Sequence, residues 1–297
     1  MSMRFDGRVA IVTGAGGGLG RSHALALAAR GAKVVVNDLG GAVDGTGSGG
    51  AAEAVAEEIR ARGGEAMADA ASVSDPEAVS EMVARVMARW GRIDILINNA
   101  GILRDKTFAK MVPDQFEAVL DVHLRGSWVC THAVWEIMRA QNYGRILFTT
   151  SSSGLYGNFG QANYGAAKMG VVGLMNTLHI EGAKNGIRVN CLSPAAATRM
   201  TEALLPEGSA DLLAPERVTP GALVLVSEDA PSKTILAAGG GVFSVVRIEE
   251  TPGIAFGPTP DPDTIAARWS EIAGQPGAEP LEAAWAQTQK FAERADV

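Results

Sequence analysis

Along the first 190 residues, short runs rich in β-branched side chains alternate with longer Ala- and Leu-rich stretches of helical period. The runs lie at 9–13, 33–37, 93–98, 145–149 and 188–192, with a weaker one near 65–68. The helical stretches between them are 21–30, 51–62, 76–90, 112–141 and 164–185. Strand and helix in repetition predict an α/β fold: a single Rossmann-like, doubly wound parallel sheet with helices on both faces and right-handed crossovers. Past residue 221 the pattern predicts a helix over 221–227 and a last strand over 241–248. Two more helices are expected, at 263–273 capped by Asp263, and at 280–295 opening on Pro280. The chain thus reads as one main domain over 1–250 and a helical C-terminal extension over 251–297, packed on that domain.

Two stretches break the rhythm. Residues 40–50 hold six glycines in eleven positions, too flexible for regular structure. They follow the second strand and read equally as a mobile flap or as a surface loop. Residues 195–221 carry Pro206, Pro215 and Pro220 and are expected to form a lid, because irregular loops of this length are uncommon and often functional.

Composition narrows the classes. A chain of 297 residues with 47% hydrophobic content buries a substantial core without disulfides. Cys130 and Cys191 form no repeated spacing, and His23, His123, His132 and His179 show no metal-ligand pattern, so no metal is expected. A net charge of −7 argues against nucleic acid as partner, although Arg104, Lys106 and Lys110 form a local basic patch. No apolar run approaches the length of a membrane span, and no secretory leader pattern precedes the first strand. A cytoplasmic protein without a membrane partner is the expectation.

The chemistry is concentrated in Tyr164-Gly-Ala-Ala-Lys168, with Ser151 thirteen residues before the tyrosine. A phenol, with a reference pKa of roughly 10, is a poor base near neutrality. An ammonium four residues later lies on the same helix face and is expected to favour the phenolate. A shift of about three units corresponds to about 4 kcal/mol. Ser151, at the carboxyl end of the 145–149 strand, can hold a reacting oxygen; only its spacing selects it over Ser152 and Ser153. A second constellation lies between the first strand and helix, Thr13-Gly14-x-x-x-Gly18-x-Gly20. Small residues there let backbone approach a pyrophosphate at a helix N-terminus. Asp38 ends the second strand eighteen residues past Gly20, where a carboxylate can accept from ribose hydroxyls and repel a 2′-phosphate. NAD is therefore expected rather than NADP. The alternative is that Asp38 caps the glycine-rich loop.

With Asn98-Asn-Ala-Gly101 added, these motifs stand in the order found in the short-chain dehydrogenase/reductase family, which the chain resembles over residues 5–200. The resemblance implies a sheet of about seven strands and a homodimer or homotetramer. It also implies cofactor contacts from Gly14, Gly18, Leu19, Gly20, Asp38, Ser72, Val73, Asn99, Ala100, Tyr164 and Lys168. Asn99 is expected to reach the cofactor ribose, with Asn98 bracing its strand. Ala71 stands where many relatives place an aspartate against the adenine. His123 stands where many carry an asparagine that orders a proton-relaying water; it reads as a catalytic relay or as a packed helix residue.

Longer stretches, including residues 99–105, 123–126 and 154–164, are similar to the (3R)-hydroxyacyl-CoA dehydrogenase unit of the peroxisomal multifunctional β-oxidation enzyme. That likeness implies NAD-dependent oxidation of a 3-hydroxyacyl-CoA in lipid metabolism. A hydroxysteroid or sterol-derived acyl-CoA shares the reacting carbinol, and an NADPH-dependent acyl-carrier-protein reductase is disfavoured by Asp38. A non-catalytic dinucleotide sensor is disfavoured by the complete Ser151, Tyr164 and Lys168 set.

Overall fold

The computed structural model describes residues 3–47, 49–198 and 210–295. Its backbone divides into two compact units, Met1–Val245 and Val246–Val297. The first unit is the expected doubly wound α/β sheet. In chain order it contains β1 (Val9–Thr13), α1 (Gly18–Ala28), β2 (Lys33–Asn37), α2 (Ala51–Ala61), β3 (Glu65–Asp69), α3 (Pro76–Trp90) and β4 (Ile95–Asn98). There follow α4 (Pro113–Leu120), α5 (Gly126–Gln141), β5 (Gly144–Thr149), α6 (Ser152–Tyr156), α7 (Ala162–Gly182) and β6 (Ile187–Ala195). Then come α8 (Thr219–Leu225), β7 (Ile235–Gly239) and β8 (Val242–Val246).

The sheet runs β3-β2-β1-β4-β5-β6-β7-β8, and every pairing from β3 to β7 is parallel. Strand order reverses between β1 and β4, so the loops leaving these two strands diverge and open a crevice at their carboxyl ends. Both faces are covered: β1, β4 and β5 are buried throughout. Local signals set the helix ends. Asp75 accepts from the Glu77 and Ala78 amides at 3.0 and 3.2 Å, Pro76 opens α3, and Gly91 closes it with φ +70°.

Several expected elements are corrected. The seventh parallel strand is β7, whose Ile-Leu-Ala-Ala-Gly sequence has little β-branched character. The expected last strand over 241–248 is an eighth, edge strand. Gly240 and Gly241, with φ +60° and +82°, join β7 to β8 in a two-residue turn that sends the chain back antiparallel. The helix expected over 112–141 is interrupted by a π turn at Asp121–Arg125.

In the second unit, the helix expected at 263–273 is two short ones, α9 (Pro262–Ala267) and α10 (Trp269–Ala273), and the last, α11, spans Ala284–Ala295. Asp261, not Asp263, caps α9, accepting from the Thr264 amide at 3.1 Å. Pro280 lies before α11 rather than in its first turn. Lys290 on α11 pairs with Glu250 and donates to Thr251 O at 3.0 Å. Among the described residues, no helix is long and apolar enough to cross a membrane.

Candidate active site

The crevice beside β1 carries the dinucleotide features. Gly14 and Gly18 have φ +64° and +51°, and a Cβ on Gly20 would lie 2.2 Å from the Gly14 carbonyl oxygen. Side chains at these positions would force the turn open. The N-terminus of α1 has no side-chain cap and no acidic residue in its first turn, so its positive end is left for an anion. Leu19 packs its side chain on the core, which leaves only its amide for a ligand. The uncapped amides of α1 and the tight glycines before it fit a pyrophosphate.

Asp38 does what its alternative reading required: Oδ2 accepts from the Gly16 amide and Oδ1 from the Gly40 amide, both at 2.7 Å. The carboxylate thereby joins the glycine turn to the 40–50 loop. Each oxygen keeps a lone pair, so ribose hydroxyls can still be accepted. The loop itself is organised. Gly49 N donates to Leu39 O at 3.2 Å, and Leu103 N donates to Val43 O at 3.0 Å.

Thr13, not singled out by sequence as a site residue, ties β1 to β4: its hydroxyl accepts from the Asn99 and Ala100 amides at 3.0 and 3.1 Å. The Asn99 side-chain amide donates to Thr13 O and Gly14 O. Its donors are thus used inside the protein, and only its oxygens are left to meet a ribose. Asn98 braces β4 by donating to Thr131 Oγ1 at 3.2 Å. Ser72 and Val73 follow β3; Val73 is buried at the first turn of α5, where a Cβ on Gly126 would come within 2.8 Å of it.

Across the crevice, β5 and α7 bring the three catalytic candidates together. Ser151 caps α6, accepting from the Ser153 amide at 3.2 Å, and its hydroxyl also hydrogen-bonds Tyr164. Lys168, one turn after Tyr164, is buried with its Nζ donating to Thr149 O at 2.6 Å and 5.5 Å from the Tyr164 ring centroid. Burial pulls the Lys168 ammonium down to about 7. Burial pushes the Tyr164 hydroxyl above 10; the Ser151 hydrogen bond opposes this and the Asp105 carboxylate adds to it.

The expected direction for the phenol is therefore corrected. Desolvation disfavours both the phenolate and the ammonium, and it is the largest cause of each shift.

His123 lies in the π turn, buried, its ring edge-on to Tyr164 at 5.1 Å and 85°. Its Nε2 sits 2.8 Å from Ile102 O and 3.0 Å from Ile102 N, while Nδ1 is buried without a hydrogen-bond partner. Burial, reinforced by Lys168, holds the ring well below 6.5, as a neutral imidazole. Sequence reasoning also missed a rim of polar clamps. Asn163 donates to Arg104 O and Gln115 O, both at 3.0 Å, and Gln161 donates to Asp105 Oδ2 at 2.7 Å. These residues have no periodic signal; their roles arise from a loop folded back on α7. Tyr156, at the end of α6, is exposed. Of the expected lid, residues 199–209 lie outside the described residues. Thr198 lies beside Gly18, and Ala197 N donates to Leu213 O at 2.6 Å.

Residues 8–208 match the family described as short chain dehydrogenase. The chain belongs to the short-chain dehydrogenase family. This dehydrogenase is 48% identical over 275 residues to mouse peroxisomal multifunctional enzyme type 2, covering 91% of this chain and 37% of that one. It is equally similar over 273 residues to a Mycobacterium tuberculosis protein named as a short-chain type dehydrogenase/reductase, covering 91% of this chain and 96% of that one. The chain thus spans little more than a third of the mouse enzyme and almost all of the mycobacterial protein. The structure of the full-length Drosophila melanogaster multifunctional enzyme type 2 superposes with a TM-score of 0.83 at 36% identity, covering 99% of this chain and 50% of that one. A short chain dehydrogenase from Mycobacterium avium gives a TM-score of 0.76 at 39% identity, covering 93% and 97%. The dehydrogenase is an oxidoreductase acting on CH–OH groups, in a family whose members use NAD or NADP.

Proposed function

We propose that this dehydrogenase oxidises (3R)-hydroxyacyl-CoA thioesters to 3-oxoacyl-CoA with NAD. The observation that carries the chemistry is the meeting of Ser151, Tyr164 and Lys168 at the end of β5, across the crevice from the uncapped N-terminus of α1. The substrate class is supported by the likeness to the peroxisomal multifunctional enzymes, which extends over nine-tenths of the chain. Asp38 at the end of β2, with no arginine beside it, supports NAD: its charge repels a 2′-phosphate.

Ser151 holds the substrate oxygen by its hydroxyl, and Tyr164 takes the hydroxyl proton. The bound nicotinamide supplies a hydride acceptor for the carbinol hydrogen. Tyr164 accepts the hydroxyl proton as the phenolate and becomes the phenol, while the Lys168 ammonium offsets the phenolate charge beforehand and is placed to hold the nicotinamide ribose. The partnerless Nδ1 of His123 supports a relay of the proton away from this pair. Gly14, Gly18, Leu19 and Gly20 would hold the pyrophosphate through backbone amides, with Ser72, Val73 and Ala100 flanking the adenosine half. Exposed Trp128 on α5 and Met169 and Ile180 on α7 support a homo-oligomer that covers them.

The test is initial-rate kinetics with (3R)- and (3S)-hydroxyacyl-CoAs and hydroxysteroids, each with NAD and NADP. Oxidation of the (3R) thioesters with NAD is expected. Turnover of steroids with every thioester inert would refute the substrate assignment, and a preference for NADP would refute the role of Asp38.

A further inference from the structure

The basic patch noticed in the sequence lies on the rim of the catalytic crevice. Residues 104–110 hold three cations and one carboxylate in a chain of net charge −7. The segment is fastened to the site itself. Arg104 O accepts from Asn163, whose own side chain accepts from the Tyr164 amide at 2.8 Å. Lys106 N donates to Gly160 O at 2.9 Å, and the Asp105 carboxylate is held by Gln161 and felt by the Tyr164 hydroxyl. Arg104 is committed to the glycine-rich loop through Asp44 O at 3.2 Å.

Lys106 and Lys110 are exposed and, among the described residues, have no carboxylate partner, whereas Lys33 and Lys290 sit in ion pairs. Beside them stand two large aromatic side chains left almost wholly in water, Phe108 at 84% and Phe159 at 88% exposure. Unpaired ammonium groups next to bare aromatic rings suit a ligand with phosphates and a planar base, the first by charge and the second by stacking.

We infer that Lys106 and Lys110, with Phe108 and Phe159, form the dock for the phosphorylated adenosine end of the CoA carrier. This rests on the thioester reading above. CoA separates its thioester from its phosphates by the pantetheine arm. A substrate reacting at Tyr164 therefore places its anionic end outside the crevice, where a rim of positive charge can meet it. The overall negative charge of the chain makes such a local patch necessary for attraction of a polyanion.

The experiment compares kcat/KM for a (3R)-hydroxyacyl-CoA with that for the same acyl group on N-acetylcysteamine, which lacks the phosphates and the adenine. The ratio is taken for the wild type, for the double variant Lys106→Ala, Lys110→Ala, and for Lys184→Ala, a control beyond the far end of α7. The ratio is expected to fall roughly tenfold in the double variant, as for two exposed charge contacts, and to stay at the wild-type value in the control. The wild-type preference for CoA is also expected to shrink as salt rises from ~0.05 to ~0.3 M. An unchanged ratio in the double variant with both esters oxidised would overturn the dock and leave the thioester reading intact. Inertness of both esters would overturn both. With the acyl-carrier-protein thioester assayed as a third substrate, a preference for it over CoA that is lost in the double variant would overturn the assignment to CoA.

Discussion

The Lys168 ammonium loses its water on folding and regains one strong hydrogen bond, to Thr149 O. Its proton affinity falls to about 7, against roughly 10.4 in an unfolded chain. Between these values the unfolded chain binds a proton that the folded one does not, so stability from this group rises with pH from about 7 to about 10 and is flat outside that window. Lys168→Met removes the titration. The stability of the variant relative to the wild type, measured by urea denaturation across that range, is expected to decline by a few kcal/mol as pH rises. A constant difference would show that the lysine is not desolvated. The two residues were recognisable from their spacing, but the environment that sets their proton affinities was not. Burial depends on α6 lying against α7, which Gly154 permits: a Cβ there would come within 2.8 Å of Lys168.

At the scale of elements, β-branched runs and helical periods were enough to place β1 through β6 and the longer helices between them, though not the short α6. Two features escaped. β7 is built largely from alanine and glycine, so its strand character comes from pairing with β6 rather than from its own residues. The π turn at 121–125 leaves the apolar period almost intact, and its trace is only the buried histidine it carries. That turn puts His123 Cε1 where a Cβ on Gly101 would be 2.2 Å away. Gly101→Ala is therefore expected to displace the ring and lower kcat as well as Tm. Adding His123→Ala should restore much of the Tm and none of the kcat. Additive losses of Tm in the double variant would contradict the contact.

Across the whole first unit, function and stability occupy opposite ends of the sheet. The catalytic groups gather at the carboxyl ends of the strands. At the amino ends, fully buried Asp94 accepts from the Val9 amide at 2.9 Å, Arg8 at 3.0 Å and Arg92 at 2.6 and 2.8 Å. Arg8 continues to Glu228 and stacks on Tyr143, which Arg145 covers from 4.2 Å. Asp94→Asn leaves two guanidinium groups without their shared charge. We expect a loss of roughly 2–3 kcal/mol, less than for a fully buried pair because both arginines reach water. Equilibrium unfolding should show this loss with kcat near the wild-type value; an equal loss of kcat would mean that the two ends are not independent. No motif announces this cluster in the sequence, because its members meet only when the amino ends of β1, β4 and β5 and the end of α8 are brought together.

The central claim is that the Tyr164 hydroxyl exchanges the proton of the reacting alcohol. Its direct test is Tyr164→Phe, assayed for turnover of the best alcohol substrate and, separately, for NAD binding by titration calorimetry. Turnover is expected to fall by roughly three orders of magnitude or more, as for loss of a general base, with the NAD dissociation constant within a few-fold of wild type. Retained turnover would contradict the account.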